Sequence, residues 1–172
     1  MEVGTYLSEQ SIHNAILYNT FSVFEFMFYF FILRELIRSA RVKTIILFVL
    51  IIYPLVAFFN IFYYRMDSNF HSMTYAIGCA FIVILCIIYF VELFQLPKST
   101  NLKNEPAFWI CTAILFSYVC TFPYWGLVNF VTTAPAILIN NLKTILMIVN
   151  ILSYSLFIIA FLCSIRIRKS TL

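Results

Sequence analysis

An all-α integral membrane bundle of five spanning helices is the fold this sequence predicts, and three observations predict it. The 172 residues are 63% hydrophobic and only 10% charged, where a soluble domain holds about 45–50% and about 25%. The apolar residues gather into five runs, each long enough to cross a hydrocarbon layer roughly 30 Å thick as a helix. Lys and Arg collect at alternate breaks between the runs. A soluble fold of this length cannot hide so much apolar surface, so residues 1–172 read as a single transmembrane helical domain.

The first run, 15–36, is AILYNTFSVFEFMFYFFILREL. The segment before it carries Glu2 and Glu9 but no Lys or Arg. That is the wrong start for a cleaved signal peptide, so the run is expected to be retained as the first span. Glu25 stands near its middle and is expected near mid-membrane. Asn14, Tyr18, Ser22, Glu25 and Tyr29 recur at helical spacing and share one stripe, with Phe21, Phe24, Phe28 and Phe31 off it. A basic elbow with Arg34, Arg38, Arg41 and Lys43 follows.

Helix two, 44–64, has Pro54 in its interior, which leaves the Leu50 carbonyl without its donor and predicts a kink. Asn60 adds an amide towards its far end. Helix three, 72–94, holds Ala76, Gly78 and Ala80, a small-residue patch that lets a neighbour approach closely. Its residues Tyr75, Cys79, Ile82, Cys86 and Tyr89 share a face, and Glu92 lies at its end, where a long side chain can snorkel. The segment 95–106, QLPKSTNLKNEP, is the most soluble-looking in the chain.

Helix four, 107–130, carries Trp109 and Trp125 roughly 24 Å apart at about 1.5 Å per residue. That separation suits two interfacial aromatic belts. Pro123 predicts a second kink, and Ala113, Ser117, Cys120 and Tyr124 make a small, mildly polar face. Helix five, 136–165, exceeds the length of a span and is expected to tilt or to begin with an interfacial turn. Asn140, Asn141, Lys143 and Thr144 mark its wet entrance, and Asn150 is expected to be a buried amide.

The distribution of Lys and Arg sets the orientation. Arg34, Arg38, Arg41, Lys43, Lys98, Lys103, Arg166, Arg168 and Lys169 fall on one side, nine of the eleven, against Arg65 and Lys143 on the other. Five spans then place the amino terminus outside and the carboxyl terminus in the cytoplasm, with the protein in the cytoplasmic (inner) membrane. The two basic clusters, Arg34 to Lys43 and Arg166 to Lys169, are candidate contacts for anionic lipid or a cytoplasmic partner.

Glu25 is the leading site candidate, because an ionisable group inside a span is costly. As a functional group it forms part of an ion pathway or a ligand pocket with Tyr18, Ser22, Tyr29, Asn60 and Asn150. As a structural group it is a protonated acid hydrogen-bonded to Asn60, Asn150, Ser117 or a neighbouring tyrosine. No second mid-membrane carboxylate, Lys or Arg accompanies it. His13 and His71 fall at the outer boundary, where a pH-sensing pair is the sharper reading and two solvated side chains the plainer one. Asn60, Asn129 and Asn150 read first as contacts between helices.

The five cysteines lie in or beside apolar runs with no Cys-x-x-Cys. They read as packing residues, so neither a disulfide framework nor a metal site is expected. Three glycines cannot build a phosphate loop, and no nucleophile elbow or zinc-protease signature is present, so catalysis and cofactors are not expected. Nothing here points to nucleic acid.

Four short motifs carry a resemblance: Asn14-x-x-x-Tyr18 leading to Phe24-Glu25-Phe26, then Thr74-Tyr75-Ala76, Tyr89-Phe90-x-x-Leu93 and Pro106-x-Phe108-Trp109-Ile110. Together they resemble a largely uncharacterised family of small polytopic membrane proteins of Bacteroidota. The resemblance runs from about Asn14 to the end of helix five. The family's genes often lie beside two-component signalling genes, and its members are longer by two helices ahead of this region, which makes the chain a short version. The resemblance supplies no catalytic residues.

The first expectation for function is a non-enzymatic sensor-like or scaffold module for a cytoplasmic signalling partner. The alternatives are a small oligomeric transporter or channel using Glu25, and an accessory subunit of a larger membrane complex. The partners implied are the lipid bilayer, a cytoplasmic signalling protein and further copies of the chain.

Overall fold

A computed structural model describes residues 2–63, 72–95, 105–126 and 136–170. Among these there are five helices: α1 (Glu2–Leu36), α2 (Ala40–Tyr63), α3 (Ser72–Phe94), α4 (Pro106–Gly126) and α5 (Ala136–Ser170). Four hold stretches long and apolar enough to cross a membrane: Ala40–Asn60, Met73–Phe94, Pro106–Pro123 and Thr144–Ile165. They mark the chain as an all-α membrane protein. α1 is less uniformly apolar because Tyr18, Asn19, Ser22 and Glu25 interrupt it.

The helix bounds depart from expectation where nothing in the chain stops a helix. α1 starts at Glu2 rather than Ala15, since residues 2–14 contain no proline and the early carboxylates suit a helix amino end. α2 begins at Ala40, so Arg41 and Lys43 are in its first turn rather than in a loop. α5 continues to Ser170, and among the described residues its spanning stretch is Thr144–Ile165. Pro54 and Pro123 lie inside α2 and α4 without ending them. Pro106 opens α4 at a position where its missing N–H is no loss.

The break between α1 and α2 has a specific cause. In a continuous helix the Arg38 and Ser39 amides would bond the carbonyls four residues back. Here both donate to the Glu92 carboxylate, at 2.7 Å to Oε2 and 3.1 Å to Oε1. The Ser39 carbonyl then accepts from Lys43 N at 3.0 Å and starts α2. Glu92 therefore does not snorkel; it caps the elbow from α3.

α1 packs on α2 and α3, α3 on α4, and α4 on α5. α3 is the most enclosed of the four apolar helices, with 39% of its span buried against 17% for α2 and for α5. Its inward stripe is Cys79, Ile82, Cys86, Tyr89 and Leu93, which extends the face read from the sequence. Phe26 of α1 is the hub. It is fully buried, and its ring centroid lies 5.7 Å from that of Tyr53, 5.1 Å from Tyr75 and 5.6 Å from Tyr118. One side chain thus joins four helices through offset and edge-on ring contacts.

The close approach that seats Phe26 comes at Gly78, in the middle of the small-residue patch. A Cβ there would stand 2.9 Å from two Phe26 ring carbons and 2.8 Å from the Tyr53 hydroxyl, while Ala80 is exposed. Around this core the outer surface is apolar. Phe21, Phe24, Phe28 and Phe31 are 54–64% exposed, as the greasy side of α1 should be.

The side chains of His13, Asn14, Trp125, Lys143, Arg166, Arg168 and Lys169 lie outside the described part of the chain, as do His71, Lys98, Lys103, Asn129 and Arg65.

Candidate functional site

The buried stripe of α1 is Asn19, Val23, Phe26, Phe30, Leu33 and Ile37. It stands one residue beyond the polar stripe read from the sequence, or about 100° around the helix. The polar stripe therefore runs along the margin of the core rather than into it. That margin borders a cleft of about 240 Å³. α1 lines it with Tyr18, Phe21, Ser22 and Glu25, α3 with Tyr75, α4 with Ser117, Tyr118 and Thr121, and α5 with Asn150.

Glu25 is half-buried, and its Oε1 accepts a hydrogen bond of 3.0 Å from the Tyr118 hydroxyl. A neighbouring tyrosine was one of the partners foreseen for it. The Ser22 hydroxyl donates to the Tyr18 carbonyl at 2.8 Å, and the Thr121 hydroxyl to the Ser117 carbonyl at 2.8 Å. Each closes a bond one turn back along its own helix, the usual refuge of a hydroxyl in a lipid-embedded helix.

Depth follows from the neighbours. Tyr118 lies about 12 Å along α4 from Gly126 and about 18 Å from Pro106, and Tyr75 only about 3 Å beyond Met73, at about 1.5 Å per residue. The cleft is therefore displaced from the centre of the bundle towards the end that carries the α2–α3 and α4–α5 connections. Glu25, bonded to Tyr118 near the middle of α4, is also near the middle of its own apolar run. The Gly78 notch near the start of α3 receives Phe26 and fixes the register of α1 towards that end.

The remaining candidates divide. Ser22, Tyr18 and Asn150 border the cleft, but Asn150 and Tyr18 are exposed on the surface of the single chain, so the expected burial of Asn150 is corrected. It sits one residue beyond Val149, on the flank of the α5 face that packs on α4. Tyr29 stands behind the cleft, its ring 5.5 Å edge-on from Tyr118. Asn60 does not belong to the site. Its Nδ2 donates to Thr74 Oγ1 at 2.8 Å and ties α2 to α3.

Among the basic candidates, Arg34 donates to Glu35 at 2.9 Å, while Arg38 and Arg41 are exposed at the elbow with Lys43 partly covered. A smaller polar cavity of about 130 Å³ opens there beside Glu35, Arg38, Tyr89, Glu92 and Glu105. Among the described residues, no group of three His, Cys, Asp or Glu is placed to hold a metal ion.

Sequence reasoning missed Tyr118, Tyr75 and Thr121 as site residues. The signal was present in part. Cys111, Ile114, Tyr118 and Thr121 recur at three, four and three, an inward stripe that ends in two hydroxyl groups at the level of Glu25.

Fold and site define a helical membrane protein with one half-buried carboxyl group at a polar cleft between helices. No family model, curated protein or solved structure matches the chain.

Proposed function

We propose that the protein is a non-enzymatic ligand-sensing module of the cytoplasmic membrane that reports to a cytoplasmic signalling partner. All five helices span in this reading, with the amino terminus outside and the carboxyl terminus in the cytoplasm, following the Lys and Arg distribution. The cleft then opens in the outer half of the bilayer, and the elbow with Arg38, Arg41 and Lys43 faces the cytoplasm as the contact surface.

The observation that carries the reading is the cleft itself. A carboxyl group, several hydroxyl groups and an amide from four helices border one open volume, and among them Glu25 and Tyr118 pair between helices. A purely structural Glu25 would be expected to be enclosed by its partners. The core on the elbow side of the cleft is filled by Phe30, Leu33, Ile82, Cys86 and Ile114, all at most 1% exposed, which favours a sensor over a pore through the single chain. The resemblance to the Bacteroidota family, with its two-component gene neighbours, points the same way.

The test places a photo-crosslinking amino acid at Arg41 in cells. The expected result is a crosslink to a cytoplasmic protein whose yield changes in Glu25→Gln while membrane insertion is unchanged. Equal yields in both proteins, or no cytoplasmic crosslink from any elbow position, would overturn the proposal.

A further inference from the structure

The hydrogen bonds around the cleft restrict what it can hold. Tyr118 spends its hydroxyl hydrogen on Glu25, Ser22 on the Tyr18 carbonyl and Thr121 on the Ser117 carbonyl. What these three groups still present is oxygen lone pairs, beside the Asn150 amide and the Ser117 and Tyr18 hydroxyls, which can both donate and accept, and the Glu25 carboxyl group is the strongest acceptor in the lining. Among the described residues lining the cleft there is no Lys, Arg or His to neutralise it. Aromatic rings of Tyr18, Phe21, Tyr75 and Tyr118 wall the same space. A carboxylate, spare acceptors and aromatic walls are together complementary to a cation that carries N–H donors.

The mouth of the cleft adds a second constraint. α1 and α5 are not a packed helix pair, yet Tyr18 and Phe21 from one and Asn150 from the other border the same opening. Tyr18 is 59% and Phe21 64% exposed. The site is thus reached sideways, between two helices, across an apolar surface.

We infer that the cleft is a binding site for a small organic ammonium group with at least one N–H, ion-paired to Glu25 and entering between α1 and α5. The inference rests on the ligand-sensing reading and names its ligand class. The ammonium can come from a water-borne amine or from an amine-bearing lipid headgroup, and both offer the same N–H donors. The volume of about 240 Å³ suits a headgroup or a short alkylamine and not a peptide.

The test measures n-butylammonium binding by calorimetry to the full chain in phosphatidylcholine nanodiscs, whose lipid has no N–H. Saturable binding is expected, with n-butanol and butyltrimethylammonium at least about tenfold weaker, the loss expected for a missing charge-assisted hydrogen bond. Glu25→Gln should lose at least about tenfold for butylammonium, and Ser22→Ala a smaller factor with the charge retained. Equal affinity for butylammonium and butanol in the wild-type protein would overturn the inference without any variant having to fold. So would an unchanged affinity in a folded Glu25→Gln.

Repeating the titration in discs containing phosphatidylethanolamine separates the sources. Weakened butylammonium binding identifies a headgroup as occupant, and unchanged binding a water-borne amine. The two proposals also fail separately. Crosslinks from Arg41 that still respond to Glu25→Gln, without ammonium binding, overturn only the ligand class. Ammonium binding with unresponsive crosslinks overturns only the signalling role.

Discussion

Replacing Gly78 with alanine tests the packing that sets the register of α1. The new methyl carbon would stand 2.8 Å from the Tyr53 hydroxyl and 2.9 Å from Phe26 Cε2 and Cζ, where ordinary contact begins near 3.4 Å. Tyr53 meets the glycine with the tip of its side chain and can tilt, although it would strain its 3.3 Å bond to the Thr74 carbonyl. Phe26 cannot swing away, because its ring is held against Phe30, Tyr53, Tyr75 and Tyr118. α1 must therefore retreat by about half an ångström, which forfeits part of every contact along that seam.

Overpacking of this kind costs about 1–3 kcal/mol, and exchanging glycine for alanine in a helix returns about 1 kcal/mol. The expected net loss is about 1 kcal/mol. Reversible unfolding in mixed micelles measures it. The same substitution in a Phe26→Leu background should be less harmful by at least about 0.5 kcal/mol, the scale of coupling between touching residues. A Gly78→Ala protein that gains the full helix-propensity term, or that loses the same amount whichever residue is at 26, would refute the notch.

Glu92→Ala should free the Arg38 and Ser39 amides and destabilise the protein by about 1.5–3 kcal/mol, the range for hydrogen bonds to a charged group. Hydrogen exchange should accelerate at those two amides ahead of any change in the interior of α3. For the bond between Asn60 and Thr74, a double-mutant cycle with Asn60→Ala and Thr74→Val should return a coupling of about 0.6 kcal/mol, as for other interhelical polar contacts in membranes. A coupling indistinguishable from zero would show the bond to be absent in lipid.

The number and order of the helices were legible in the sequence, because length and apolarity alone define a span, but α1 begins thirteen residues before the expected Ala15. Which face of each helix points inward was not legible. α1 was read one residue off, on Ser22 and Glu25 in place of Val23 and Phe26, and on α4 the face through Ala113 and Ser117 held the buried Ala113 but missed Ile114 and Tyr118. The reason is the solvent. In water the buried side of a helix is the apolar side, but in lipid both sides are apolar and the pattern carries little contrast. On α3 the face was found, because Tyr75, Cys79, Cys86 and Tyr89 differ from the Ile and Val around them. The elbow was read at its place from its basic residues, but what holds it was not. Nothing in residues 37–39 breaks a helix, and the break is supplied by Glu92, more than fifty residues away.

That bond gives α3 two attachments of unlike kind. Near one end Tyr75 borders the cleft, and near the other Glu92 holds the start of α2, with about 25 Å of helix between them at about 1.5 Å per residue. A helix transmits tilt with little bending over such a distance. While the Glu92 bonds hold, the angle between α1 and α2 cannot open unless α3 moves with it. The basic residues of the elbow are therefore mounted on a lever whose opposite arm reaches the cleft.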